Sequence, residues 1–224
     1  MSDGRHKVRS PVAPRAIRLS APAETTSKGA TGSITLTPRV GWDGTLDTAV
    51  NGLYADTVKT GTLTGTSPDP WESPAAVAKS EVTVDDGTDL VRLAILPSEY
   101  IEGGDVDLWV IDKDGNILAQ RDGGNDEHVD LTEPGTYTVH VVPYALPQGA
   151  DSQTYTLHTW LIGKDAKPDH PATVNPAVQQ VAMGDTVEVK VSWQNLPADK
   201  SYLGLVRFDD GTDTAGTTFL TVTP

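Results

Sequence analysis

The chain reads as all-β: an antiparallel β-sandwich of jelly-roll or immunoglobulin-like kind, followed by a second, smaller β module. Three observations predict this. Apolar residues recur at every second position in short runs such as Asp105-Val-Asp-Leu-Trp-Val-Ile111 and Thr136-Tyr-Thr-Val-His-Val-Val142, the period of a half-buried strand. Asp, Gly and Asn clusters punctuate the runs, as in Asp112-Lys-Asp-Gly-Asn116, and those residues close β-turns. Long stretches of Leu, Glu, Lys and Ala at helical spacing are missing. A length of 224 residues suffices for one large β domain or two smaller ones.

The elements follow in order. Residues 1–28 are expected to form a flexible basic leader or linker, because Pro11, Pro14 and Pro22 interrupt any period. Ile34-Thr-Leu-Thr-Pro38 is a short strand and Gly41-Trp-Asp-Gly44 a turn. Thr45-Leu-Asp-Thr-Ala-Val-Asn51 is a second strand with Leu46, Thr48 and Val50 on its apolar face. Residues 53–65 continue in the same Thr/Val/Leu style. Ser67-Pro-Asp-Pro-Trp-Glu-Ser-Pro74 is a loop, since its prolines remove donors and fix φ; Trp71 is expected to dock on the domain.

Strands at 81–84, 90–96, 105–111, 136–142 and 154–162 complete a sandwich assigned to residues 67–163. Residues 164–176 read as the clearest linker. Residues 177–224 hold a module of about 50 residues, too small for an independent sandwich. It is expected to borrow strands, and residues 29–66 are the natural lender.

Charge and composition exclude several function classes. The formal charge is −14. Residues 1–28 hold six of the 17 Lys and Arg but only two of the 31 Asp and Glu, so the remainder carries −18. A body that acidic repels phosphate backbones and makes nucleic acid an unsuitable partner. The absence of cysteine removes disulfides, thiol catalysis and thiolate metal sites, without fixing the compartment. No stretch approaches the ~20 apolar residues of a membrane span. The N-terminus lacks the apolar core of a signal peptide, so an exported parent protein would carry its signal elsewhere.

With the strands placed, a family pattern emerges. Gly41-Trp-Asp-Gly-Thr-Leu46, Asn51-Gly-Leu53, Val82-Thr-Val84, Leu90-Val-Arg-Leu93 and Asp105-Val-Asp-Leu-Trp-Val110, with Asp126-Glu-His-Val129 and Pro134-Gly-Thr-Tyr-Thr-Val139, resemble the region after the catalytic domain of large secreted subtilisin-like serine proteases. The middle stretch is similar to the bacterial pre-peptidase C-terminal domain, a small β-sandwich. Val191-Ser-Trp-Gln-Asn-Leu196 and Tyr202-Leu-Gly-Leu-Val-Arg-Phe-Asp-Asp-Gly211 resemble the fibronectin-type-III-like end of those proteases. The resemblance covers about residues 30–224. It implies a secreted, extracellular accessory region whose partners are the parent protease domain and a protein substrate or cell-surface polymer, and it implies no catalysis in this chain.

A subtilase needs Ser, His and Asp in one constellation. Gly65-Thr66-Ser67 matches part of the family's nucleophile motif, but Pro68-Asp69-Pro70 cannot form the helix that follows it there. Ser67 is therefore expected to be a loop serine, and no catalytic residue is assigned. A free-standing carbohydrate- or protein-binding adhesion module is the alternative function.

Calcium is the one cofactor the turns suggest. Hard cations take six to eight oxygens, and Asp105, Asp107 and Asp126 are the candidate metal ligands. Ordinary turn chemistry is the simpler account of the acidic clusters, Asp112-Lys-Asp-Gly-Asn116 among them. Trp109 and Trp71 are the candidate ligand-binding residues, within a strip that would include Trp42, Trp160 and Tyr144; core packing is the plainer role for most of these, and Trp193 belongs in the core. His140 and His158 are expected to face solvent from strands able to neighbour one another, with no third ligand to make a zinc site.

Overall fold

The computed structural model describes residues 18–121 and 127–224. Its strands are β1 (Leu19–Ser20), β2 (Glu24–Lys28), β3 (Gly32–Leu36), β4 (Arg39–Val40), β5 (Gly44–Ala55), β6 (Thr57–Thr64), β7 (Ala78–Val84), β8 (Thr88–Ile95), β9 (Asp105–Asp112), β10 (Ile117–Arg121), β11 (Glu127–Leu131), β12 (Gly135–Ala145), β13 (Ser152–Gly163), β14 (Ala172–Asn175), β15 (Val178–Val181), β16 (Val189–Trp193), β17 (Tyr202–Asp209) and β18 (Thr214–Thr223). A single 3-10 turn at Pro97–Glu99 is the one helical element among the described residues. The protein is all-β and built from packed antiparallel sheets.

Strands β6 to β13 form two four-stranded sheets, in the orders β10-β9-β12-β7 and β11-β8-β13-β6. That alternation between facing sheets is the jelly-roll order. Val106, Leu108 and Val110 of β9 point inward with Val139 and Val141 of β12, against Val91, Leu93, Tyr155 and Leu157 of the facing sheet. The remaining strands form a second sandwich of a three-stranded sheet (β14-β16-β3) on a five-stranded sheet (β15-β5-β17-β18-β2). Its core includes Leu46, Leu53, Val191, Trp193, Tyr202, Phe208 and Leu220. The tiny β1–β4 pair sits at its side.

The two sandwiches stack sheet on sheet. Leu90, Ala94 and Leu96, with Trp160 and Ile162 of β13, cover Tyr54, Leu203, Leu205 and Phe219 on the outer face of the five-stranded sheet. β8 is consequently buried on both faces, which is why Leu90-Val-Arg-Leu-Ala-Ile-Leu96 lacks the apolar–polar alternation of a half-exposed strand. Four sheets follow one another from the three-stranded sheet to the outer β9/β12 sheet.

The strand pairings redraw the expected boundaries. Residues 29–66 do not act as one block: β3 pairs with β16 and β5 with β17, whereas β6 pairs with β13 inside the jelly roll. The division falls at Asp56, where no Gly or Pro marks it, so the sequence runs on in one style. The span assigned to a leader, residues 1–28, contains β2, which lies parallel to β18; Glu-Thr-Thr-Ser-Lys has no apolar residue to betray a strand. The expected linker, residues 164–176, contains β14, paired with β16 and hidden between Pro171 and Pro176. The jelly roll is thus an insertion within the second sandwich.

Candidate functional site

Two places in this stack gather chemistry: the joint between the sandwiches and the outer face of the jelly roll. At the joint, β13 turns Tyr155 and Leu157 to the jelly-roll core and His158, Trp160 and Ile162 the other way. Trp160 is fully buried and its indole N–H donates to the Ser201 carbonyl at 3.2 Å. The His158 ring stacks on Trp160 with centroids 5.6 Å apart.

Both His158 nitrogens meet carboxylates. Nδ1 is bonded to Asp56 Oδ2, and Nε2 lies 2.8 Å from Glu99 Oε2. Asp56 is buried in the crossover between the sandwiches; its Oδ1 accepts from the Ser201 backbone N–H at 3.2 Å and its carbonyl from Lys200 Nζ at 3.1 Å. Burial opposes a charged ring, but hydrogen bonds to Asp56 and Glu99 and their negative charges prevail, raising the His158 pKa to about 9. The imidazolium therefore ties β13 and the 3-10 turn to the crossover and the start of β17.

A second ion cluster flanks the same joint. Arg92, almost wholly buried, donates in bidentate fashion to Asp130 through Nε and Nη2 at 2.7 Å each, and to Glu24 Oε1 at 2.9 Å. Its guanidinium lies 4.0 Å over the Phe219 ring. Burial alone would lower its pKa; Asp130 and Glu24 raise it instead. His128 Nε2 reaches the same Glu24 oxygen at 3.0 Å. A buried charge held by two carboxylates and an aromatic face fixes geometry more than it adds stability. Beside it opens a cleft of about 390 Å³, with Glu24, Thr26, Arg92, His128 and Thr221 in its walls.

The outer face of β9 and β12 is different in kind. Trp109 lies opposite His140 in the register, and His140 opposite Lys79. Trp109 packs with Val77 and Val142, and Trp71 meets it edge-on at 5.6 Å. The loop carrying Trp71 is knitted to itself: Asp69 Oδ1 accepts from the Trp71 and Glu72 backbone, while Ser67 Oγ donates to the Asp69 carbonyl at 2.6 Å and accepts from Ser73 N–H at 3.0 Å. Ser67 N–H anchors the loop to the Pro143 carbonyl. Ser67 is a buried loop serine whose hydroxyl closes this turn.

Trp71 is 53% exposed and Trp109 only 5%, so the two expected ligand-binding residues do meet, as one exposed ring resting on a covered one. Trp160 and Trp193 lie inside, and Trp42 is half-buried; of the expected strip only Trp71 and Tyr144 present open aromatic surface. His140 and His158 do not face solvent. Both are buried, on strands of opposite sheets, because each outward-facing sheet surface is covered, one by the 67–77 loop and the other by the second sandwich. Burial first, and then Lys79, push the His140 pKa down.

Asp105 and Asp107 sit two apart on β9 and so share a face. Asp107 is buried, Asp105 half-buried, and Asp126 lies outside the described residues. Among the described residues no three His, Cys, Asp or Glu side chains gather at metal-binding distance. The Asp112 turn is locked by its own chain: Oδ1 accepts from the Asp114 and Asn116 backbone and Oδ2 from the Asn116 amide. The Asn116 side-chain bond leads those that hold the Asp112 pKa low.

Sequence reasoning passed over Arg92, Asp56 and Glu99. One signal was present for Arg92: an arginine inside an otherwise apolar run, residues 90–96, has to be paired, since a strand apolar on both faces is covered on both. Asp56 and Glu99 carry no such mark. No helix among the described residues is long and apolar enough to cross a membrane. No protein-family model matches the chain, and no curated protein matches it.

Proposed function

We propose that this chain is a non-catalytic accessory region of an exported subtilisin-like serine protease, which holds the enzyme to a protein substrate or to a surface. The observation that carries the reading is the stack itself. The β14-β16-β3 sheet lies at one side, and the Trp71 face lies at the other, three sheets away. A rigid spacer with an aromatic face at its far end suits contact rather than chemistry. Ser67 is committed to its turn and both nitrogens of His158 to carboxylates, so neither supports a nucleophile–base pair.

The test is deletion of the region from the natural secreted protein. Cleavage of an insoluble protein substrate should fall while hydrolysis of a small chromogenic peptide persists. A natural protein without a protease domain, or equal loss on both substrates, defeats the proposal.

A second reading, a free-standing carbohydrate- or protein-binding adhesion module, is favoured by the half-exposed Trp71 on Trp109, since flat aromatic rings stack on sugar faces. Retention on an insoluble polysaccharide that is lost in Trp71→Ala supports it; failure to bind any of a broad glycan panel removes it.

A further inference from the structure

Among the described residues, β2 is the end strand of the five-stranded sheet and β18 is its only paired neighbour. The pair is parallel, so each residue of β2 turns its N–H and C=O to the same side, alternating along the strand. Phe219 N–H donates to the Ala23 carbonyl, and Gly29 N–H donates to the Thr223 carbonyl. Residues 23, 25, 27 and 29 therefore face β18, and the peptide groups of Glu24, Thr26 and Lys28 point outward.

Three consecutive outward peptide groups form a template for another strand. Here they open onto space. The cleft of about 390 Å³ runs along Glu24, Thr25 and Thr26, and an adjoining one of about 360 Å³ runs along Thr26, Ser27 and Lys28. The two share Thr26, Leu96 and Thr221, so together they follow the whole length of β2.

Charge selects the occupant. At the Glu24 end, the carboxylates of Glu24 and Asp130 stand with the single guanidinium of Arg92 and the His128 ring, in a chain of net charge −14. We propose that the free edge of β2 binds an extended segment of another polypeptide as an added strand, with a basic side chain opposite Glu24 and an apolar one toward Leu96. Main-chain bonds supply the affinity, and the two clefts receive alternate side chains, as in other strand-addition sites. The inference builds on the contact role proposed above but uses a surface separate from Trp71, so either can fail alone.

The probe is a short acetylated synthetic peptide alternating lysine or valine with threonine. Saturable binding is expected, with new amide-exchange protection at Glu24, Thr26 and Lys28 and little change at Thr25 and Ser27, already bonded to β18. N-methylation of alternate probe amides should weaken binding about tenfold or more, the worth of one or two hydrogen bonds. Thr26→Pro removes one outward N–H and no bond to β18, and should do the same while leaving the melting transition in place; if it does not fold, the methylated probe still decides. No saturable binding, equal binding of the methylated probe, or protection spread outside β2 overturns the proposal. Concentration-dependent pairing of two copies, protecting the same amides without peptide, assigns the edge to self-association and overturns it as well.

Discussion

Asp56 and His158 stand 102 residues apart in sequence and meet side chain to side chain in the joint between the two sandwiches. One lies in the crossover that leaves the second sandwich, the other on a central strand of the jelly roll. Glu99 closes the far side of the ring, so a single imidazolium fastens three segments.

Stability should depend on pH through this group. The folded-state pKa is about 9 against an ordinary 6.5, so its contribution is complete below pH 6.5 and is lost as pH rises through 9. The other charged groups facing it are Asp56, Glu99 and Lys200, the last through the Asp56 carbonyl. The shift corresponds to roughly 3 kcal/mol. Calorimetry at constant ionic strength should show Tm falling between pH 7 and 10, and His158→Gln should flatten that slope; equal slopes refute the assignment.

Removing the imidazole leaves Asp56 and Glu99 facing each other. His158→Ala should destabilise by about 3–5 kcal/mol, the usual result of stranding a buried charge. The double variant with Asp56→Asn should recover part of the loss. Urea denaturation of the two single variants and the double variant measures the coupling.

Trp160→Ala should cost about 3–5 kcal/mol, since the ring is fully buried in the joint and bonded to Ser201. Denaturation should also lose its single transition, because the two sandwiches would melt separately. Trp71→Ala, by contrast, should move stability by no more than about 1 kcal/mol, the scale of one edge-on aromatic contact at the surface. A large drop in the latter would show that Trp71 is structural.

Gly52 takes φ +124°, and a Cβ there would fall 2.5 Å from Pro168 and 2.7 Å from the His170 carbonyl. Gly52→Ala should therefore destabilise by more than about 1 kcal/mol, through backbone conformation and collision together. Gly87→Ala, where a Cβ meets open space, is the matched control in the same denaturation assay.

The jelly-roll strands were legible wherever one face met the core and the other did not. Val106, Leu108 and Val110 alternate with Asp107 and Trp109 because the sheet has two unlike sides. The same rule misplaced His140 and His158. Period two tells which residues leave the core, and says nothing of what later covers them. β2 was illegible for the opposite reason: it is held by main-chain bonds to β18, and its side chains carry no apolar pattern. The joint needs tertiary knowledge, since Asp56, His158 and Glu99 come from three separated segments.

The insertion has a consequence for the order in which the chain can fold. Leu53 and His170 exchange both backbone hydrogen bonds, at 2.8 and 3.1 Å, so the inserted jelly roll begins and ends at one seam. All eight of its strands are contiguous in sequence, and it is complete once Gly163 has left the ribosome. The surrounding sandwich cannot close until β18 is made, because β2 and β5 wait for partners at the far end of the chain. During synthesis the finished jelly roll hangs from an open sheet, and the His158 imidazolium finds the Ser201 side of its joint last.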